Sequence, residues 1–305
     1  MIPVLNYQDF LNGNKQGFVE DVGQACRQSG FMLLTGHGVD RSQIDSVFDA
    51  ARSFFALDQS EKDRLAIANS KHDRGYVATG TEKLDEKSGK IDQKEAFNVG
   101  DDLSPDDPRV LLGEPFRGVN QWPAGEEAFR QTLMGYYDTM VTLAINLHRA
   151  LALDLGLSED YFADFVDDPI AILRLLHYPP TRGVEGAIGA GAHSDYGSLT
   201  LLMTDGTPGL QVQPRGSDAW LDVPHVDGAF VINLGDLLMR WSNDVYVSTP
   251  HRVIPPARER YSVAFFFQPN ADAVVEALPG TGTPHKYAPV TSADYLHSRL
   301  TATYA

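Results

Sequence analysis

The chain has 305 residues, 43% hydrophobic and 22% charged, so it is long enough to bury a core and shows none of the biases of disordered or fibrous proteins. With 41 acidic against 25 basic residues the formal charge is -16, which disfavours a general polyanion-binding role, because nucleic-acid binding needs concentrated positive charge to release counterions. A single cysteine, Cys26, rules out an intrachain disulfide, and neither a secretory leader nor a bilayer-spanning run is evident, so a cytoplasmic protein is expected.

In chain order, a short apolar strand at residues 3–5 precedes helical spacing over 15–29, which Gly30 ends as a helix stop. Residues 31–34 read as a strand and 39–55 as a second amphipathic helix. Asp58, opening DQSEKDRL, carries the N-cap and capping-box pattern of a third. Residues 72–123, rich in Gly, Asp, Lys and Pro, read as an irregular connection or a working loop. The stripe Phe129, Leu133, Tyr136, Tyr137, Met140, Leu143, Ala144 and Leu147 predicts a long supporting helix within 124–155.

Beyond Asp168 the texture changes to short β-type runs, ILRLLHY, SLTLLM, GLQVQ, FVINLG, RVI and YSVAFFF, which predict a sandwich or barrel. Residues 292–300 read as a final helix. With no internal repeat, the expectation is one integrated unit over 1–305: a mainly helical portion to 165, the β core over 166–290, and a C-terminal helix and tail over 291–305.

In GAHSDYGSLTLL, His193 and Asp195 stand two apart at the start of a β run, where alternation puts them on one face. The candidate for a third ligand is His251 in STPHRVI, again entering a β run. Two histidines and one carboxylate leave coordination positions open, the arrangement of non-haem Fe(II) oxygenases. A polar strand edge is the bland alternative, and a zinc hydrolase uses similar ligands. Arg260 and Ser262, in RYSVAFFF, share a strand face and make a fork for a carboxylate. A structural salt bridge would be the ordinary explanation for such an arginine; beside a metal triad, a small carboxylate ligand explains it better.

The sequence resembles the isopenicillin N synthase-like branch of the 2-oxoglutarate- and Fe(II)-dependent dioxygenases nearly end to end. The matching segments are IPVLNYQDF, GFMLLTGHGVD, ARSFFALDQSEK, RGYV, LRLLHYPP, AHSDYGSLTLL, PGLQV, VINLGDLLMRWSND, TPHRV and RYS. The resemblance implies an α+β fold with a double-stranded β-helix (jelly-roll) core, Fe(II) on His193, Asp195 and His251, and 2-oxoglutarate held by Arg260, Ser262 and Tyr178. It also implies oxidation of a small molecule by O₂ (hydroxylation, desaturation or cyclisation), with release of succinate and CO₂. Where many plant members have an asparagine two places before the tyrosine, this chain has Leu176.

In the enzyme that names the branch, the Arg-x-Ser pair holds the substrate's carboxylate and no 2-oxoglutarate is used, so that oxidase chemistry is the alternative. Arg74, Tyr76, Phe97, Phe265 and Phe267 are candidates for the substrate pocket. Asn233 and Trp241 are candidates for its support, and Asp236 for a turn or cap. The other seven histidines lack ligand-like spacing. No nucleic acid, membrane or obligate protein partner is expected.

Overall fold

A computed structural model describes residues 2–85, 90–181 and 183–304. The N-terminal part runs β1 (Val4–Asn6), α1 (Tyr7–Asn12), α2 (Lys15–Gln28), β2 (Phe31–Thr35), α3 (Arg41–Phe55) and α4 (Gln59–Arg64). It continues through β3 (Gly75–Val77), β4 (Glu95–Val99), α5 (Pro108–Leu111) and α6 (Glu127–Asp154). The β-rich part holds β5 (Pro169–Tyr178), β6 (Ala190–His193), β7 (Leu199–Thr204), β8 (Leu210–Val212), β9 (Leu221–Asp222) and β10 (Phe230–Leu234). Then follow α7 (Asp236–Trp241), β11 (His251–Val253), β12 (Arg260–Asn270), β13 (Val274–Val275), β14 (Val290–Thr291) and α8 (Ser292–Tyr304).

The strands form an eight-stranded sheet, ordered β1-β2-β10-β7-β12-β5-β4-β3, and a four-stranded sheet, ordered β6-β11-β8-β9. Side chains from both sheets line one cavity, so the sheets face each other across it. The outer face of the larger sheet carries the helices. There α6 buries its whole predicted stripe, and Tyr137 meets Phe265 edge-on at 5.3 Å. Each large apolar side chain buried this way contributes about 1.5–3 kcal/mol.

Gly30 stops α2 as expected: it adopts a left-handed φ of 64°, and its N–H donates to Ala25 O at 2.9 Å. A Cβ there would come within 2.1 Å of the Val247 carbonyl oxygen, so only glycine fits. The start of α4 differs from expectation. Asp58 occupies the N-cap but makes no side-chain cap bond, and its backbone carbonyl accepts from Glu61 and Lys62 instead.

Residues 72–123 are more than a connection, although 86–89 lie outside the described residues. They hold β3 and β4, which extend the large sheet beyond β5, so the portion expected to be mainly helical supplies β1, β2, β3 and β4 to that sheet. The polar residues of β4 hid it, because their charges are paired inside the protein: Glu95 with Lys62 at 2.9 Å, and the preceding Lys94 with Glu82 at 2.8 Å.

The two faces of β12 settle which side chains reach the cavity. Arg260, Ser262, Ala264, Phe266 and Gln268 line it. Phe265 and Phe267 point the other way, into the core under the helices, where Phe267 packs 5.2 Å from His148. Tyr76 and Phe97 share that core, Phe97 at 4.2 Å from Phe54. These four pocket candidates are therefore core residues, since alternation along a strand gives successive side chains opposite faces. Among the described residues no helix is long and apolar enough to cross a membrane.

Candidate metal centre

His193 ends β6 and His251 begins β11, and the antiparallel pairing sets the two histidines opposite each other. Asp195 lies just past the end of β6, so a turn, rather than strand alternation, brings it alongside His193. That turn is held by the Asp236 N–H donating to Asp195 O at 2.7 Å. One candidate ligand atom from each of the three residues lies within 4.8 Å of the others.

The hydrogen bonds aim these atoms. His193 Nδ1 meets Gly191 O at 2.7 Å and His251 Nδ1 meets Thr249 O at 3.2 Å. A carbonyl only accepts, so each Nδ1 carries the proton and each Nε2 presents a lone pair. Asp195 Oδ2 accepts from Thr200 Oγ1 at 2.6 Å and Asn233 Nδ2 at 2.7 Å. That leaves Oδ1, 3.8 Å from His193 Nε2 and 3.6 Å from His251 Nε2. Burial, reinforced by the neighbouring His251, pushes His193 down to about 4, which keeps the imidazole neutral. Burial alone would raise Asp195, but the two imidazoles and its two hydrogen bonds hold it below the usual carboxylate range. Three electron-pair donors converging with no proton between them fit a divalent cation, and the N₂O donor set suits iron.

Arg260 is 1% exposed, and no carboxylate stands within ion-pairing distance of it among the described residues. Its Nη1 donates to Ser262 Oγ at 3.4 Å and its Nε to Thr207 O at 3.3 Å, while the guanidinium lies 4.7 Å from the Tyr178 ring centroid. Arg260, Ser262 and Tyr178 share with the histidines a cavity of about 200 Å³. A buried cation so placed is costly unless an anion enters the cavity.

Arg74 also reaches the cavity wall, but its guanidinium is engaged with His72 O and Phe116 O, each at 2.9 Å, and braces the loop. Nearby, Lys94 pairs with Glu82 at 2.8 Å and Asp92 at 2.7 Å, and Arg174 with Glu82 at 2.6 Å. Asp92 Oδ1 also accepts from Gly191 N–H at 2.9 Å, which ties this cluster to the strand carrying His193.

Sequence reasoning missed Thr200 as a support for Asp195. It also missed Asn98, Phe266, Gln268, Leu296 and Leu300 as cavity residues. The alternation from Arg260 and Ser262 already pointed to Phe266 and Gln268. Nothing local marked Leu296 and Leu300, which arrive from α8. Of the supports that were named, Asn233 holds Asp195, whereas Trp241 is buried in the main core.

Comparison with known proteins gives the family. Residues 2–125 match the family model for the non-haem dioxygenase in morphine synthesis N-terminal region, and residues 169–269 match the 2OG-Fe(II) oxygenase superfamily. The 2-oxoglutarate-Fe(II) type oxidoreductase hxnY of Emericella nidulans is 38% identical, over 99% of this chain and 90% of the relative. Clavatol oxidase claD of Penicillium crustosum is 34% identical, over 100% and 97%. Among solved structures, a full-length Neurospora crassa protein in complex with alpha-KG and thymine superposes with a TM-score of 0.88 at 33% identity, over 99% of this chain and 97% of that one. The chain belongs to the 2-oxoglutarate- and Fe(II)-dependent oxygenases, and it is an oxidoreductase that uses both cofactors.

Proposed function

We propose that His193, Asp195 and His251 hold the iron, and that Arg260 and Ser262 grip the far carboxylate of 2-oxoglutarate with Tyr178 against the guanidinium. The observation that carries this is Arg260: a buried cation with no acidic partner among the described residues, beside a hydroxyl, in the same cavity as the metal cluster. A planar guanidinium gives a carboxylate two parallel hydrogen bonds, and Ser262 adds a third. The reaction proposed is oxidation of a small organic metabolite by O₂, as hydroxylation, desaturation or cyclisation, with release of succinate and CO₂.

Iron with 2-oxoglutarate and O₂ supplies the oxidising power. The chain's own part is to aim the Nε2 atoms of His193 and His251 by bonding each Nδ1 to a carbonyl, to fix the carboxylate through Thr200 and Asn233, and to line the cavity with apolar side chains such as Phe31 and Phe266. Small size follows from space, because about 200 Å³ is shared by cosubstrate and substrate. Pockets for drug-sized ligands run to roughly 300–1,000 Å³. The two facing sheets are proposed to be the double-stranded β-helix. With β1 to β4 inside the larger sheet, the whole chain is proposed to work as one unit.

The test is an anaerobic titration of the Fe(II)-loaded protein with 2-oxoglutarate, followed by the visible charge-transfer band of a 2-oxo acid chelated to Fe(II). The band is expected in the wild type and absent in His193→Ala. In Arg260→Ala, iron binding is retained and 2-oxoglutarate affinity falls by about 2–5 kcal/mol. Iron binding without a band would transfer Arg260 and Ser262 to the substrate's carboxylate, as in a 2-oxoglutarate-independent oxidase.

A further inference from the structure

Five asparagines and glutamines are buried among the described residues, and they divide by what they bond. Asn120 pairs both ways with the Gly100 backbone, Asn233 holds Asp195, and Asn243 ties down Lys286 N and three carbonyls near residues 281–284. The side-chain carbonyl oxygens of Asn98 and Gln268, in residues 7% and 4% exposed, have no hydrogen-bond partner among the described residues, and both residues line the cavity. Buried amides in folded proteins are almost always partnered. These two are left to bond whatever occupies the cavity.

Their places on the large sheet are set by register. Asn98 on β4 stands opposite Arg174 on β5, Phe266 on β12 opposite Ile172, and Gln268 on β12 opposite Ile170. Along this wall an amide, an aromatic-aliphatic pair and a second amide follow one another. Leu296 and Leu300 add apolar surface from α8. The cations beside Asn98 do not call for an anion, because Lys94 and Arg174 are ion-paired with Glu82 and Asp92.

We infer that Asn98 and Gln268 are specificity-determining residues, and that the substrate is a small, uncharged ring carrying an amide, as in a lactam or cyclic imide. An asparagine or glutamine side chain both donates and accepts, as does an amide, and a substrate with both functions satisfies it fully. A carboxylate only accepts, so it leaves the carbonyl ends of both side chains unmet. This inference rests on the proposed function, which leaves the far end of the cavity to 2-oxoglutarate at Arg260.

The experiment titrates δ-valerolactam and 2-pyridone into the anaerobic Fe(II)·2-oxoglutarate protein, with cyclopentanecarboxylate and benzoate as anions of similar size. Binding is read by calorimetry and by the shift of the charge-transfer band. The lactams are expected to bind at least about tenfold more tightly than the anions, since a site built to hydrogen-bond its ligand rejects one that leaves its polar groups unpaired. Asn98→Leu and Gln268→Met are each expected to weaken the lactams by about tenfold or more, while the 2-oxoglutarate band forms as in the wild type. Tighter binding of the anions, no binding of either lactam, or wild-type lactam affinity in both variants would overturn the inference. The ligand comparison needs only the wild type, so it stands even where a variant fails to fold. A missing band in the wild type would instead overturn the 2-oxoglutarate assignment beneath it.

Discussion

Asp195 shows how little of a metal ligand's behaviour lies in the ligand itself. One of its oxygens is committed to Thr200 and Asn233, which fixes where the other points. Asn233→Leu removes one of these donors, and metal affinity is expected to fall about 10–100-fold, checked by competition with a chelator. His177 sits outside the cavity between Glu95 and Glu259. Burial works against its protonation, but hydrogen bonds to both carboxylates outweigh burial and raise it above its ordinary 6.5. Burial likewise opposes the ionisation of Glu95, yet bonds from His177, Tyr76 and Lys62 hold it near 2. Stability from a raised histidine is fully present below 6.5 and lost as pH rises through the folded value; that from Glu95 is present above 4.5 and lost as pH falls toward 2. Urea unfolding of the wild type is therefore expected to show stability declining from pH 6.5 upward. His177→Gln should lack that decline, and an unchanged slope would remove His177 as its source. The metal ligands were legible in the sequence because His-x-Asp and a distant histidine form a pattern that survives without knowledge of the fold. Asn98 was not, since an asparagine in a polar stretch acquires meaning only when its burial and its unpartnered carbonyl oxygen are known.

Strand β12 carries two functions on alternate residues, and it is where the sequence reading was half right. Arg260 and Ser262 share the cavity face as expected, whereas Phe265 and Phe267, expected as pocket candidates, are an odd number of positions away and point into the core. Phe265→Ala is expected to cost about 3–5 kcal/mol of unfolding free energy, because it empties a site packed against Tyr137. Phe266→Ala, at the partly exposed cavity wall, should cost less than half as much while altering ligand binding. Equal losses in the two would contradict the assignment of faces. The larger strands and helices were legible because long runs average out local irregularity, and α6 buries every residue of its predicted stripe. The short β3 and β4 were not: β3 is only three residues long, and the polarity of β4 is compensated by a partner far off in sequence, Lys62 bonding Glu95.

For the whole molecule, stability and occupancy are linked, because a ligand that binds only the folded state stabilises it by mass action. In the presence of metal, 2-oxoglutarate at a hundredfold excess over its Kd should add about 2.7 kcal/mol, read as a rise in thermal midpoint. The same concentration should give Arg260→Ala almost none of this rise, and an equal rise would show that the dicarboxylate binds elsewhere. Phe31, whose ring meets His251 edge-on at 5.5 Å, and Leu300 of α8 face the same cavity from widely separated parts of the chain. In chain order His193, Asp195 and His251 all precede α8, so the helix that lays Leu296 and Leu300 against the chamber supplies its wall from the far end of the sequence and contributes none of the three.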